Sequence, residues 1–473
     1  MALTKARNRM IDYVEVNVRD FGAVGDGVTV DTPAFTAALL AIPASGGILY
    51  IPAGDYVASI NLLARSNIIL QGESKEATKI ISGSAATPED VAGELIAVRG
   101  DIADPPVTYC ENITIRDMTV NTSAVDSNSI GITKARNTVI ERVKVTESTK
   151  RGISGENYVY YTTIRDCVMS GCGTAAIGFG RIVEDVHIDS CELYSNTEQG
   201  IFMSGFNPGE FIDRTTITNC RIHNNTEDGI KINRVRAVIS NCYIWENGVG
   251  GPTYTYAGIY AHESDGVDIL DCHLLDNYDN IILHNGQEVR IIGGECKSAT
   301  SSNIFIKDNS FNEITGTVID SAGGYGIYVY QATGTTDQTG ISNCIVTNNS
   351  SEGIILTAAT NTSIIGCKFK NNDTVNSYSL RGTNATATGG IVTSCVFAGD
   401  DKLNTFAMAE FKVAFNEFVD TATLVKNGTD IIYPEYIGNT ATGSTPGTVI
   451  KKVEIFDESG SSLGFIPVYD AIT

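Results

Sequence analysis

Two stretches decide the fold: Gly229-IKINRVRAVISNCYIWE-Asn247 and Gly258-IYAHESDGVDILDCHLLD-Asn277. Each opens on a small residue followed by Ile and an alternating apolar residue. Each closes on an apolar-x-x-Cys-x-apolar unit that ends in Asn. The opening recurs at Gly131, Gly152, Ala176, Gly200, Gly229, Gly258, Asn280, Asn303, Gly326 and Gly353, at intervals of 21 to 29 residues. The closing unit returns as Ile188–Cys191–Leu193–Asn196, Ile217–Cys220–Ile222–Asn225, Ile341–Cys344–Val346–Asn349 and Ile364–Cys367–Phe369–Asn372. A repeat of this length signals a solenoid. Short period-2 strands without helical periodicity make it an all-β parallel β-helix. Such a rod has long flat faces suited to polymers.

Working outward, residues 14–57 read as a cap. Thr32 with Pro33 predicts a helix start, and Ala34 to Ile42 a short apolar helix that covers the open end of the rod. Coils follow over 58–437. Residues 438–447 are a linker by composition, and 448–473 predict a small C-terminal β-hairpin around Asp457–Gly460. Residues 1–13 form a basic arm without the apolar stretch of a signal peptide.

The net charge of −22 excludes a nucleic-acid partner, which would need a basic footprint. It also requires local cations wherever an anionic ligand binds. No apolar run is long enough for membrane insertion. Among the eleven cysteines, Cys167, Cys191, Cys220, Cys242, Cys272 and Cys296 fall one per coil between apolar positions. That spacing predicts a ladder of free, inward thiols. With no Cys-x-x-Cys pair, neither a metal site nor a cofactor is expected. Asp228, before Gly229, and the recurring Asn residues read as left-handed turn positions.

Asn17-VRDFGAVGD-Gly27, followed by the helix and Tyr50-IPAGD-Tyr56, resembles the opening of pectate-lyase-like right-handed β-helix proteins. Leu3-TKARNR-Met10 before it, and Leu463-GFIPVY-Asp470 at the end, resemble bacteriophage tailspikes. The resemblance implies a homotrimer in the virion tail, held to a phage tail or baseplate protein through the N-terminus. It further implies binding, often with cleavage, of bacterial surface polysaccharide such as capsule, O-antigen or exopolysaccharide.

Strand alternation places the outward residues after each restart in two columns. One is Asn233, His262, His284, Lys307, Tyr330. Beside it runs Lys231, Tyr260, Ile282, Phe305, Tyr328. Arg234, Glu263, Asp265 and Asp308 fall at or near the strand-to-turn corner. Aromatics beside cations and donors suit sugar rings. For β-elimination of a uronate polymer, His262 is the candidate base, Lys307 or Arg234 the charge stabiliser, and Tyr260 or Tyr330 the acid. Hydrolysis would use two carboxylates about 5–9.5 Å apart, from Glu263 with Asp265 or Asp308. Lys231, Asn233, Arg234, Tyr260, His284 and Tyr328 are candidate substrate contacts. Trp245 is a candidate sugar platform or interface anchor. The stretch Gly258–Glu263 also resembles the Asp-Pro-His-Glu strand of alginate epimerases. Tyr260 and Ala261 replace that Asp and Pro, which argues against epimerase activity. The alternative function is a non-catalytic receptor-binding fibre.

Overall fold

The computed structural model describes residues 14–83, 93–101, 103–205, 212–248, 251, 255–331, 338–374, 378–383, 387–399 and parts of 402–469. The N-terminal arm and the 438–447 linker lie outside the described residues. The chain is mostly β, a parallel solenoid of about 14 turns with one short helix. At about 4.8 Å per turn the rod is roughly 67 Å long.

Central turns carry three strands each, as in Ile230–Asn233, Val235–Ser240 and Tyr243–Trp245. Each pairs in parallel with its counterpart one turn later, so Ile230 lies against Ile259, Ile239 against Ile269 and Ile244 against Leu274. Period-2 alternation sends Ile230, Ile232, Ile239 and Ile244 into the interior, all fully buried. Between the second and third strands the chain must turn sharply. Ser190, Asn219, Asn241 and Asp271 do so with φ between 48° and 55°, a geometry that short polar residues tolerate.

All eleven cysteines are free and buried. Eight form the expected column, but Cys296 is not among them. The column runs Cys167, Cys191, Cys220, Cys242, Cys272, Gly294, Thr317, Cys344, Cys367, Cys395, each carbonyl accepting from the next coil. Cys296 sits two residues on, between Leu274 and Ile319 in the neighbouring apolar column. A double glycine, Gly293–Gly294, takes the corner in that turn, and the cysteine follows it.

The recurrent asparagines are not left-handed turn residues. Asn196, Asn225, Asn247 and Asn277 are buried and pass a hydrogen bond from amide to amide at 2.8, 2.9 and 2.9 Å. The next two coils carry Ala299 and Ala322 at this position. There the chain of amides sidesteps to the restart column: Asn277 to Asn280 (2.8 Å), Asn280 to Asn303 (2.7 Å), then Asn303 to Asn349 (3.3 Å). That detour explains why two restarts are Asn rather than Gly. Elsewhere a Cβ on Gly200 would stand 2.5 Å from Ile222 and 2.7 Å from the Gly229 carbonyl, so close packing demands the small residue. Gly131 is displaced from this column by two residues, since it pairs with Ser154 rather than Gly152.

The capping helix is Thr32–Ala41, with Asp31 rather than Thr32 in the capping position. The Asp31 carboxylate instead accepts from the Val24 and Gly25 amides at 2.7 and 3.2 Å, holding the Gly-rich opening loop. Thr32 accepts from Ser59 N–H at 3.0 Å. Phe35 and Ala38 are fully buried and close the core. Near the C-terminus, Val449–Phe456 and Ser462–Tyr469 form a separate antiparallel pair.

Candidate functional site

One face of the rod carries the outward columns. Asn233, His262, His284, Lys307 and Tyr330 are successive partners in register, as are Lys231, Tyr260, Ile282, Phe305 and Tyr328. Each strand ends at a left-handed residue: Arg234, Glu263, Asn285 and Asp308 have φ of 55°, 44°, 57° and 48°. Their amides donate to the next coil's carbonyl, which pins the corner and fixes the outward register before it.

A cavity of about 570 Å³ is lined by Lys231, Asn233, Tyr260 and His262, with Phe202, Ser204 and Thr255. Phe202 and Ser204 extend the two columns one coil back, a step the sequence columns did not take. His262 donates from Nδ1 to the Asn233 amide oxygen at 3.3 Å, which leaves Nε2 as the basic lone pair. Glu263 stands 4.0 Å from that nitrogen. Burial, with Arg234 and Lys231 nearby, holds the imidazole below the usual histidine range despite Glu263. Tyr260 moves the other way: burial and the Asp228 carboxylate push its phenol up to about 12. The Lys231 ammonium lies 5.3 Å from the centre of the Tyr260 ring. One strand thus presents a neutral base and a protonated acid to one cavity, next to a cation.

Beneath Lys231 sits Asp228, fully buried and not left-handed. Its Oδ1 accepts from the Ala257 amide at 2.8 Å, and its Oδ2 faces Lys231 Nζ at 3.4 Å. Burial pushes its carboxyl up to about 7, against the pull of Lys231. In the sequence, Asp-Gly looks like a turn. The available signal was the lysine three residues on.

The other candidates are distributed along and around the rod. Lys307 and Tyr330 lie two and three coils beyond His262, roughly 10 and 14 Å along the axis, and do not line the cavity. Ile282 and Phe305 are covered rather than exposed. With Ala257 they make a small apolar cluster outside the core, flanked by Tyr260, Tyr328 and Tyr330. Arg234 is held by an ion pair to Glu263 and by the Gly205 carbonyl. Asp265 begins the next strand around the corner, which separates it from Glu263. Trp245 is on a different face. Its ring stacks on His223, 4.0 Å between centroids and 13° from parallel, and its register partner on the other side is Leu275. Rings stacked along a rod turn their edges outward.

The fold and this face define a right-handed parallel β-helix with an outward array of titratable groups on one sheet. More narrowly, the chain belongs to the rhamnogalacturonase A/epimerase, pectate lyase-like family, whose profile matches residues 15–252. A right-handed β-helix profile matches 251–374 and 281–418. The chain is 30% identical to mannuronan C5-epimerase AlgE4 of Azotobacter vinelandii over 40% of its length and 36% of that protein's. It is 30% identical to alginate lyase 7 of the same organism over 33% of this chain and 19% of that one. A pre-neck appendage protein of Bacillus phage B103 is 30% identical over 39% of this chain and 21% of that protein. The matched regions therefore span about a third or less of these relatives.

Proposed function

We propose that this protein is a phage tailspike whose Lys231–Tyr260–His262 face binds an acidic bacterial surface polysaccharide and cleaves it by β-elimination. One observation carries the reading: Tyr260 and His262 face one cavity from the same strand, with their proton affinities driven apart. Such a split is how a site assigns acid and base among neighbouring groups. Nε2 of neutral His262 takes the proton beside the sugar carboxylate. Lys231, held by Asp228, stabilises the negative charge that develops there. Tyr260 gives its proton to the leaving glycosidic oxygen as that bond breaks and the new double bond forms.

Lys231 replaces Lys307 and Arg234 as the stabiliser, because it shares the cavity while Lys307 lies two coils away and Arg234 is paired to Glu263. Similarity to polysaccharide epimerases and lyases supports an acidic substrate, and similarity to a phage appendage protein supports the virion tail. A homotrimer, attached through residues 1–13, belongs to the same proposal. Incubation with a panel of acidic capsular and exopolysaccharides, followed by chain-length measurement, tests it. Shortening of an acidic polymer supports the enzyme. Tight binding without shortening would instead establish the non-catalytic receptor-binding fibre.

A further inference from the structure

A second cavity, of about 500 Å³, opens on the same sheet nearer the N-terminal end, lined by Glu94, Arg99, Lys150, Arg151, Ser154 and Glu156 among others. We propose that it continues the groove at His262 and holds a further acidic sugar unit of the same polymer. This inference rests on the proposed function and names the length and charge of chain that the site takes.

The link is Arg151. Its guanidinium donates to Glu156 at 2.7 Å and to Ser154 at 3.4 Å, which fixes it across the sheet. It lies directly over Gly178, where a Cβ would come within 2.6 Å of its Cδ and Nε. Any larger residue at 178 would displace it. From there the guanidinium carbon is 5.8 Å from the centre of the Phe202 ring, and Phe202 lines the His262 cavity. A single row, Gly178 and Gly180, separates the two cavities in register. Glu94 is accommodated in the same way over Gly131. Glycines at these outward positions thus let charged side chains lie flat across the floor.

Charge gives the ligand class. Arg99, Lys150 and Arg151 outnumber Glu94 and Glu156 in this cavity, within a chain of net charge −22. Lys150 also pairs with Asp126 at the rim, at 3.1 Å. With Asp126 counted, three cations balance three carboxylates here, so this stretch is far less acidic than the chain as a whole and admits a carboxylate-bearing sugar, whose hydroxyls suit the neighbouring Ser, Thr and Asn side chains. From the Ser154–Glu156 row to the Tyr260–His262 row is four coils, roughly 19 Å, so one ligand must be several sugars long to reach both.

The test is calorimetric binding of oligomannuronates of graded length, from about two to ten units, to the His262→Ala protein, where cleavage cannot confuse the result. Affinity should rise by at least about tenfold once the oligomer spans both cavities, and the rise should shrink at high salt. Arg151→Gln and, separately, Lys150→Gln should abolish the rise and leave short-oligomer binding unchanged. Lys150, half-exposed at the rim, keeps the test valid if Arg151→Gln fails to fold. A length-independent affinity, or a rise that survives both substitutions, overturns the second cavity's role and leaves the His262 face intact. Failure of all lengths to bind overturns both.

Discussion

The phenol oxygen of Tyr260 lies 3.0 Å from Nδ1 of His284, across one coil boundary. His284 is held neutral, down to about 4, first by burial and then by the Lys307 ammonium. The Tyr260 hydroxyl and this ring nitrogen share one hydrogen bond, its direction set by the His284 tautomer, and the two rings stack 13° from parallel. His284 therefore orients the proposed acid, and its ring also neighbours that of His262, 4.9 Å between centroids.

Tyr260→Phe should lower depolymerisation by at least ~10²-fold, the scale for losing a general acid. His284→Ala should cost less, about tenfold, through kcat rather than KM. Equal rates for Tyr260→Phe and the parent would remove Tyr260 from the chemistry.

Lys231→Ala should impair turnover more than Lys307→Ala, because only Lys231 lines the cavity with His262. Steady-state kinetics on one polymer suffice. The reverse order would move the reacting centre two coils toward the C-terminus.

Asp228 and His284 should give stability opposite pH dependences. The native Asp228 carboxyl keeps its proton up to about 7, whereas the ordinary value is 3.8. Its contribution falls as pH rises through that interval. His284 holds no proton above about 4, against an ordinary 6.5, so its contribution falls as pH drops through that window. Between about pH 4.5 and 6.5, Asp228→Asn should make the unfolding midpoint climb more steeply with pH than in the parent. His284→Gln should make it climb less. Parallel curves for all three proteins would contradict these assignments.

Asn303→Ala should break the amide chain at its detour and leave buried partners unsatisfied, at a cost of about 1–3 kcal/mol. Leu40→Ala, on the exposed side of the capping helix, serves as the control in denaturant unfolding. A midpoint for Asn303→Ala equal to that control would mean the ladder is ornamental.

Native thiols should resist modification at neutral pH. Burial pushes Cys110 and Cys172 up to about 12, and all eleven are enclosed. Denaturation should release eleven free thiols by spectroscopic titration, and a smaller count would reveal disulfides.

Much of this was legible because a parallel β-helix translates sequence position directly into place on the rod. Once Ile230 and Ile232 are inward, Lys231 and Asn233 are outward, and the period carries Tyr260 and His262 beside them. What escaped was whatever one strand cannot report. The sidestep from Asn277 through Asn280 and Asn303 depends on two alanines in a neighbouring column. Gly294 takes the cysteine position in its coil with no change of register, so Cys296 stands in the next apolar column, which its spacing from Cys272 does not disclose. Ile282 and Phe305 alternate outward, yet side chains on adjoining coils cover them. Asp228 is polar by composition and buried by the turn that precedes its strand. The face of the rod on which Trp245 lies depends on counting strands within a coil, which spacing alone left open.

The central claim is that His262 removes the proton beside a sugar carboxylate. The most direct measurement is the ultraviolet absorbance of products from an acidic polysaccharide that the protein shortens, with the parent and with His262→Ala. The account predicts a rising absorbance of conjugated unsaturated uronate in the parent and a rate at least ~10²-fold lower in His262→Ala. New reducing ends without that absorbance, abolished by Glu263→Gln and unaffected by His262→Ala, would contradict it and establish hydrolysis.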